Sequence, residues 1–278
     1  LRLALYAFPL DRRMPQLSVL GAPHAATELL HRLGLDGDER AAPTLTVLRY
    51  KPERRCVVRV DAGARRWLVK LYAGRTAFDH ARVAAMLPDG VALHLAPMAG
   101  ANADMLALAW EWVDGAPLDS LPPGAASTEA AYRTTGAALA ELHRRPAADF
   151  PRYDANAETA ALEQAAAAVT ALAPHTAPRV AAILARLRPR MAATVTPPVL
   201  VHGDFSPDQV IVRQDGTGSV AVTLLDFDRA GAGHPAADCG ALAAWLARRR
   251  LEVPAAAVPG PSMLDAFLAG YCATGASL

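Results

Sequence analysis

The chain has 278 residues, 53% of them hydrophobic, with 28 basic against 27 acidic side chains and a formal net charge of +1. That length is ample for a buried core in one large domain or two modest ones, and near-neutrality argues against a protein that grips nucleic acid by bulk electrostatics. No apolar run approaches the ~20 residues needed to span a bilayer, so no membrane partner is expected.

Nothing at the N-terminus reads as a signal peptide, although the chain opens at Leu1 rather than Met, which leaves room for a missing short leader. Three scattered cysteines, Cys56, Cys239 and Cys272, form no CxxC pair. They are expected to be small buried hydrophobes in a reducing cytoplasm rather than a disulfide framework or a zinc site. Lys51 and Lys70 are the only lysines. In so arginine-dominated a chain, a lysine inside an apolar strand is informative.

The first forty residues read as an extension with one helix over residues 23–33, stopped by Gly34. Three short β-branched runs follow, at 45–50, 56–60 and 67–72, joined by links of hairpin length. A helix is predicted from about Thr76 to Met86, then two more apolar runs around Val91–Ala96 and Met105–Val113. Together these predict a five-stranded antiparallel sheet carrying one helix, and Asp114-Gly115-Ala116-Pro117 breaks the pattern. Beyond it the chain is mostly helical. Ser127 is placed to cap a helix whose apolar face carries Tyr132, Leu139 and Leu142. The alanine-rich segment 157–193 reads as two helices broken near Pro174 and Pro178. Strand texture returns at 198–201 and in the pair 209–212 and 220–225, with the turn Asp215-Gly216-Thr217-Gly218 between them. The tail from Ala241 is helical. Residues 1–112 would then form an N-terminal lobe and 113–278 a helical C-terminal lobe, hinged near 111–117.

Polar residues concentrate in His202-Gly203-Asp204-Phe205-Ser206-Pro207-Asp208-Gln209 and in Asp226-Phe227-Asp228-Arg229. If 209–212 and 220–225 are the arms of a hairpin, Gln209 and Asp226 lie at its open end, with Asp204 on the loop that feeds it. Two carboxylates and an amide oxygen in a small volume suit Mg²⁺, which takes few protein ligands and shares its shell with phosphate oxygens. The remaining carboxylate could orient a hydroxyl and accept its proton. Lys70 shares a strand face with Leu68, and a lysine there either snorkels to water or meets an anion, for which a triphosphate is the obvious choice.

The spacing His-x-Asp-x-x-x-x-(Asn/Gln), followed about twenty residues later by Asp-Phe-Asp, resembles the aminoglycoside phosphotransferase and choline kinase-like family, small-molecule relatives of the protein kinases. Lys70, the hinge-like 108–115, Leu142-His143 and the late Phe267-Leu268-Ala269-Gly270-Tyr271 fall in the expected order, so the likeness runs from about 45 to about 272. It implies an α+β, bilobal, protein kinase-like fold with a small antiparallel sheet lobe and a larger helical lobe. It also implies transfer of the γ-phosphoryl group of ATP, with Mg²⁺, to a hydroxyl of a sugar, aminoglycoside or amino-alcohol. On that resemblance Asp204 is the catalytic base, Gln209 and Asp226 hold Mg²⁺ with Asp228 a further ligand, and Lys70 grips the phosphates. Backbone groups around Glu111 and Val113 bind adenine, and His202 supports the loop by hydrogen bonding.

Four departures from the family pattern stand out. Gln209 replaces the usual asparagine, as in the maltokinase and glucosamine kinase branch. No glycine-rich loop joins the first two strands, so Arg54 or Arg55 would cover the phosphates. No glutamate follows Lys70 in the next helix, which leaves Asp79, or remotely Glu28, to pair with it. His234 stands where an aspartate is common, while Asp238 fits a helix-start role. The expected assembly is a monomer or weak homodimer. Two other readings use the same residues: a pseudokinase that binds or regulates, and a metal-dependent hydrolase with no need for Lys70.

Overall fold

The structure, a computed structural model, describes residues 6–36, 42–153, 155–193, 197–215, 218–252 and 261–276. Helix α1 (Ala25–Leu33) buries Leu29, Leu30 and Leu33, and ends where Gly34 takes a left-handed φ of 68°. Strands β1 (Thr44–Lys51), β2 (Arg55–Ala62) and β3 (Arg65–Tyr72) form the expected meander. Helix α2 (Arg75–Ala84) follows, then β4 (His94–Leu95), β5 (Met98–Asn102) and β6 (Ala107–Glu111). The first sheet has the order β1-β2-β3-β6-β5, antiparallel throughout.

Its fifth strand is 98–102, not the predicted 91–96. The N–H groups of Val91, Ala92 and Leu93 are all taken by the Glu141 carboxylate, at 3.1, 2.8 and 3.1 Å. That run is therefore satisfied without a strand partner, and only His94–Leu95 pairs, parallel to another sheet. The segment Met98-Ala99-Gly100-Ala101-Asn102 has little strand propensity of its own. It is selected by its neighbours, the ladder to β6 and the end of α1.

The chain passes to a second sheet between Glu111 and Ala116. There β7 (Ala116–Pro117), β9 (Val210–Gln214) and β10 (Val220–Leu224) join β4 in the order β4-β10-β9-β7. The tip of the β9–β10 turn, Gly216 and Thr217, lies outside the described residues. Strands β8 (Val199–Val201) and β11 (Gly231–Gly233) make a separate ribbon.

Helix α3 (Ala126–Leu142) buries Tyr132, Leu139 and Leu142 as its periodicity predicts, the two leucines each contributing about 1.5–3 kcal/mol by leaving water. Ser127 does not cap it. The capping position is Ala125, with no side-chain bond, and the Thr128 hydroxyl instead donates to the Pro122 carbonyl at 2.7 Å. Helix α7 (Pro261–Cys272) crosses α3 with backbone against backbone: a Cβ on Gly136 would lie 2.0 Å from the Phe267 carbonyl oxygen, and one on Gly270 would lie 1.9 Å from that of Arg133.

Helices α4 (Ala155–Leu172) and α5 (Ala177–Ala193) divide at Pro174, while Pro178 sits in the first turn of α5, where its missing N–H costs nothing. Helix α6 (Ala236–Glu252) begins five residues before the predicted start.

Candidate active site

The first sheet supplies one wall. In the β2–β3 ladder Arg55 stands opposite Tyr72 and Val57 opposite Lys70. The two-residue period of a strand therefore sets Arg55, Lys70 and Tyr72 on one face, with Leu68 beyond them. Val69 and Leu71 point the other way and are fully buried in the sheet's own core.

The β9–β10 hairpin supplies the opposite wall. Leu224 pairs with Val210, and the Leu225 N–H donates to the Gln209 carbonyl at 2.8 Å. Gln209 and Asp226 thus share the open end of the hairpin, as the spacing predicts. Asp226 then takes a left-handed φ of 62°, a conformation that costs a non-glycine residue about 1–3 kcal/mol unless its surroundings hold it.

Here they do. Lys70 Nζ donates to Asp226 Oδ1 at 2.7 Å and to Asp228 Oδ1 at 3.0 Å. Arg55 forks over the same pair: Nη1 and Nη2 each lie 3.2 Å from an oxygen of Asp226, and Nη1 lies 2.5 Å from Asp228 Oδ2. The Tyr72 hydroxyl donates to Asp228 Oδ1 at 2.9 Å. Burial pushes the Asp226 carboxyl up, but the charges of Lys70 and then Arg55 outweigh it and hold the group well below the usual carboxylate range. Burial, with Asp228 beside it, pushes the Tyr72 phenol well above its ordinary value.

The loop bearing Asp204 is organised from below. Asp238, in the first turn of α6, is 1% exposed. It accepts the His202 N–H at 2.7 Å and the Gly203 N–H at 2.9 Å, and meets His143 Nε2 at 3.0 Å. His143 Nδ1 in turn meets the Tyr271 hydroxyl at 2.7 Å. Burial pushes the Asp238 carboxyl up, but the His143 hydrogen bond and the charge of His202 bring it below its ordinary value. The His202 side chain reaches the Leu225 carbonyl at 2.7 Å, tying the Asp204 loop to the strand that runs into Asp226. Only glycine fits at 203, where φ is 79° and a Cβ would lie 2.0 Å from the Arg229 carbonyl oxygen.

Between the walls lies a cleft of about 790 Å³, lined by Leu68, Lys70, Trp110, Glu111, Trp112, Val113, Leu224 and Asp226 among others. A second cavity of about 690 Å³ shares Asp226 and Asp228 with the first and is otherwise lined by Lys51, Arg54, Arg55, Tyr72, Ala77, Asp204 and Arg229. Asp204 is exposed there.

Where the chain leaves β6, the Glu111 N–H is taken by the Pro97 carbonyl and the Trp112 N–H by the Arg66 carbonyl, each at 2.9 Å. The next N–H, that of Val113, has no backbone acceptor among the described residues. The Lys70 ammonium lies 5.3 Å from the ring centre of Trp110, so this tryptophan is part of the cleft wall as well as of the packing around Tyr72 and Phe78.

The structure therefore brings together Lys70, Asp226 and Asp228 directly, and Asp204 through the second cavity. Gln209 sits beside them by its backbone, but its side-chain nitrogen lies 3.5 Å from Asp208, and it is not among the residues lining either cavity. Arg54 lines the second cavity, yet the guanidinium on the carboxylates belongs to Arg55. Neither Asp79 nor Glu28 pairs with Lys70. Its partners are Asp226 and Asp228, and Glu28 instead binds Arg32 at 2.5 Å. Sequence reasoning missed Tyr72 as a partner of Asp228. It also missed Asp238 as the acceptor for the loop; the signal available was a lone acidic residue in the first turn of a largely apolar helix.

The donor set fits Mg²⁺. Asp226 and Asp228 present hard carboxylate oxygens in one place, already faced by two cationic groups. Among the described residues no group of three or more His, Cys, Asp or Glu forms a complete metal cage, and Mg²⁺ usually asks for only one or two carboxylates plus phosphate oxygens.

Residues 44–278 match the family model described as a phosphotransferase enzyme family. The chain belongs to that family. It is a phosphotransferase of the small-molecule kinase class, and the α+β bilobal fold expected from the resemblance is the one found. Among solved structures, a macrolide 2′-phosphotransferase from Brachybacterium faecium is 19% identical with a TM-score of 0.60, over 90% of this chain and 83% of that one. An APH(2″) enzyme in complex with GDP and kanamycin is 16% identical with a TM-score of 0.60, over 90% and 83%. The aminoglycoside phosphotransferase APH(4)-Ia, in a ternary complex with ADP and hygromycin B, is 17% identical with a TM-score of 0.56, over 88% of each chain. At such identities the likeness is one of fold. No curated protein sequence matches the chain.

Proposed function

We propose that this phosphotransferase moves the γ-phosphoryl group of ATP, with Mg²⁺, to a hydroxyl of a small molecule of sugar, aminoglycoside or amino-alcohol type. One observation carries the reading: Lys70 and Asp226 meet at 2.7 Å where two cavities join, one reaching the hinge and the other Asp204. On this reading the nucleotide lies in the first cavity, with its base against Trp110 and the Val113 N–H, close to Glu111, and its phosphates toward Lys70. The acceptor enters the second.

Asp226 and Asp228 would hold the metal, at the end of the hairpin where the backbone of Gln209 also sits. Mg²⁺ held by them would neutralise charge on the phosphate oxygens. The rest falls to the chain's own side chains. Lys70 binds the phosphates, Arg54 lines the second cavity, and Asp204 orients the acceptor hydroxyl and takes its proton as the oxygen attacks the γ-phosphorus in line with the departing ADP oxygen. Such a site works by positioning and charge neutralisation rather than covalent chemistry. The complexes of relatives with kanamycin and hygromycin B support a hydroxyl-rich acceptor.

The test has two steps. A thermal-shift screen of candidate acceptors with Mg²⁺ and a non-hydrolysable ATP analogue identifies the acceptor. Turnover of that acceptor is then compared in wild type and Asp204→Asn. Loss of a positioned base is expected to cut kcat by about 10²-fold or more; unchanged kcat removes Asp204 from the mechanism.

A further inference from the structure

The two carboxylates at the junction already carry two cations. Lys70 and Arg55 balance the charges of Asp226 and Asp228, so a divalent ion added to the group would leave two positive charges in excess. Either a cation leaves the carboxylates or an anion joins them. A metal-bound polyphosphate allows both at once.

The two cations are not equivalent. Lys70 is the more enclosed, with 6% of its side chain exposed against 17% for Arg55. It lines the first cleft and lies against Trp110. Arg55 lines the second cavity instead, at its junction with the cleft, beside Lys51 and Arg54. Neither of these neighbours has an ion-pair partner among the described residues. The charge of Arg55, followed by burial, lowers the Lys51 ammonium below its ordinary value, a sign of crowded positive charge.

The backbone that carries Arg55 is fixed. Asp11 Oδ1 accepts the N–H groups of Arg13 (2.7 Å) and Met14 (3.1 Å), while its Oδ2 accepts the Glu53 N–H (2.8 Å) and the Tyr50 hydroxyl (2.6 Å). Arg12 adds an ion pair to Glu53, whose φ is 56°. The turn between β1 and β2 is thereby bolted to the N-terminal segment. A glycine-rich loop would bind phosphate by closing its backbone over the nucleotide. This turn presents long cationic side chains from a fixed base.

We propose that Arg55 is a phosphate-binding residue that rests on Asp226 and Asp228 until the metal and nucleotide arrive, then gives up the carboxylates and swings onto the phosphates. The inference rests on the nucleotide reading of the same cleft. It makes two predictions of opposite sign for one substitution, Arg55→Gln. Removing the competing cation strengthens binding of a divalent ion without nucleotide, whereas removing the phosphate contact weakens binding of the nucleotide complex. A residue that merely bridged the two walls would not split the effects in this way.

The test uses the full chain. Mn²⁺ alone is titrated against wild type and Arg55→Gln with electron paramagnetic resonance reading the free ion, and Mg²⁺ with a non-hydrolysable ATP analogue is titrated by calorimetry. Expected are about fivefold tighter Mn²⁺ binding and about tenfold weaker nucleotide binding in the variant, the sizes that follow from one charged hydrogen-bonding partner lost on each side. Arg55→Lys, which keeps the charge on a side chain of similar length, is expected to return both values toward wild type, and covers the case in which Arg55→Gln folds poorly. Unchanged or weaker Mn²⁺ binding in Arg55→Gln, or unchanged nucleotide binding, overturns the handover while leaving the nucleotide reading intact. A wild-type protein that binds no metal–nucleotide complex overturns that reading and the handover with it.

Discussion

Asp226 and Asp238 are both largely buried, and both carboxyls are held below their ordinary range. The groups that hold them differ. Asp238 is ringed by the backbone N–H groups of His202 and Gly203 and by the His143 ring, donors that belong to the scaffold and have nowhere else to go. Asp226 is held by the ends of two long side chains, Lys70 and Arg55, which reach across from the first sheet and have other uses for their charge. One aspartate is a fastening. The other, on the reading proposed above, is a site whose present partners are exchanged for a metal and a nucleotide. Burial and lowered proton affinity alone do not separate the two roles; the kind of donor does, backbone N–H groups and a ring against the ends of long side chains.

Removing the fastening has the larger effect on stability. Asp238→Ala strands buried donors at about 1–3 kcal/mol each, on the order of 4 kcal/mol together. At about 2–4 °C per kcal/mol, Tm should fall by roughly 10 °C, and the thermal melt of the variant checks this. Asp226→Asn keeps the shape and tolerates the left-handed backbone, and Asp228 still faces both cations. Part of the about 3–5 kcal/mol that breaking a buried pair costs is therefore offset, and Tm should drop by about 5 °C, from a loss near 2 kcal/mol. Equal drops in the two variants would break the distinction.

Acid sharpens it further. Asp11, Glu141, Asp226 and Asp238 all have folded values below their ordinary 3.8 or 4.5. The unfolded chain therefore binds more protons than the folded one as pH falls through that range, so the stability these groups contribute is complete above the ordinary values and is lost below them. Tm should be nearly level from pH 7 to about 5 and fall steeply below about 4. The fall should be shallower in Asp238→Asn. A wild-type Tm that stays level to pH 3 would contradict the assignment.

The sequence carried the site's outline because its spacing is local. Strand alternation put Lys70 on the cleft face, and the length of the 209–226 segment put Gln209 and Asp226 at one end of a hairpin. Local pattern could not say which carboxylate Lys70 meets, since the pairing spans 158 residues. Arg54 and Arg55 could not be told apart without the β2–β3 register, because a shift of one residue reverses the face. Asp238 was legible as a helix-start residue, but its acceptor role toward a loop 35 residues earlier is a product of packing. The fifth strand was misplaced for a related reason: Glu141, distant in sequence, satisfies the backbone at 91–93 and leaves 98–102 to close the sheet.

Whether the junction of Lys70, Asp226 and Asp228 binds a nucleotide through a divalent metal is open to direct measurement. Calorimetric titration of a non-hydrolysable ATP analogue into wild type and Asp226→Asn, each with Mg²⁺ and with a chelator, tests it directly. The account predicts binding by wild type that weakens at least about tenfold without Mg²⁺, and loss of that metal dependence in the variant. Equal affinity with and without the metal in wild type, or full metal dependence retained in Asp226→Asn, would contradict it.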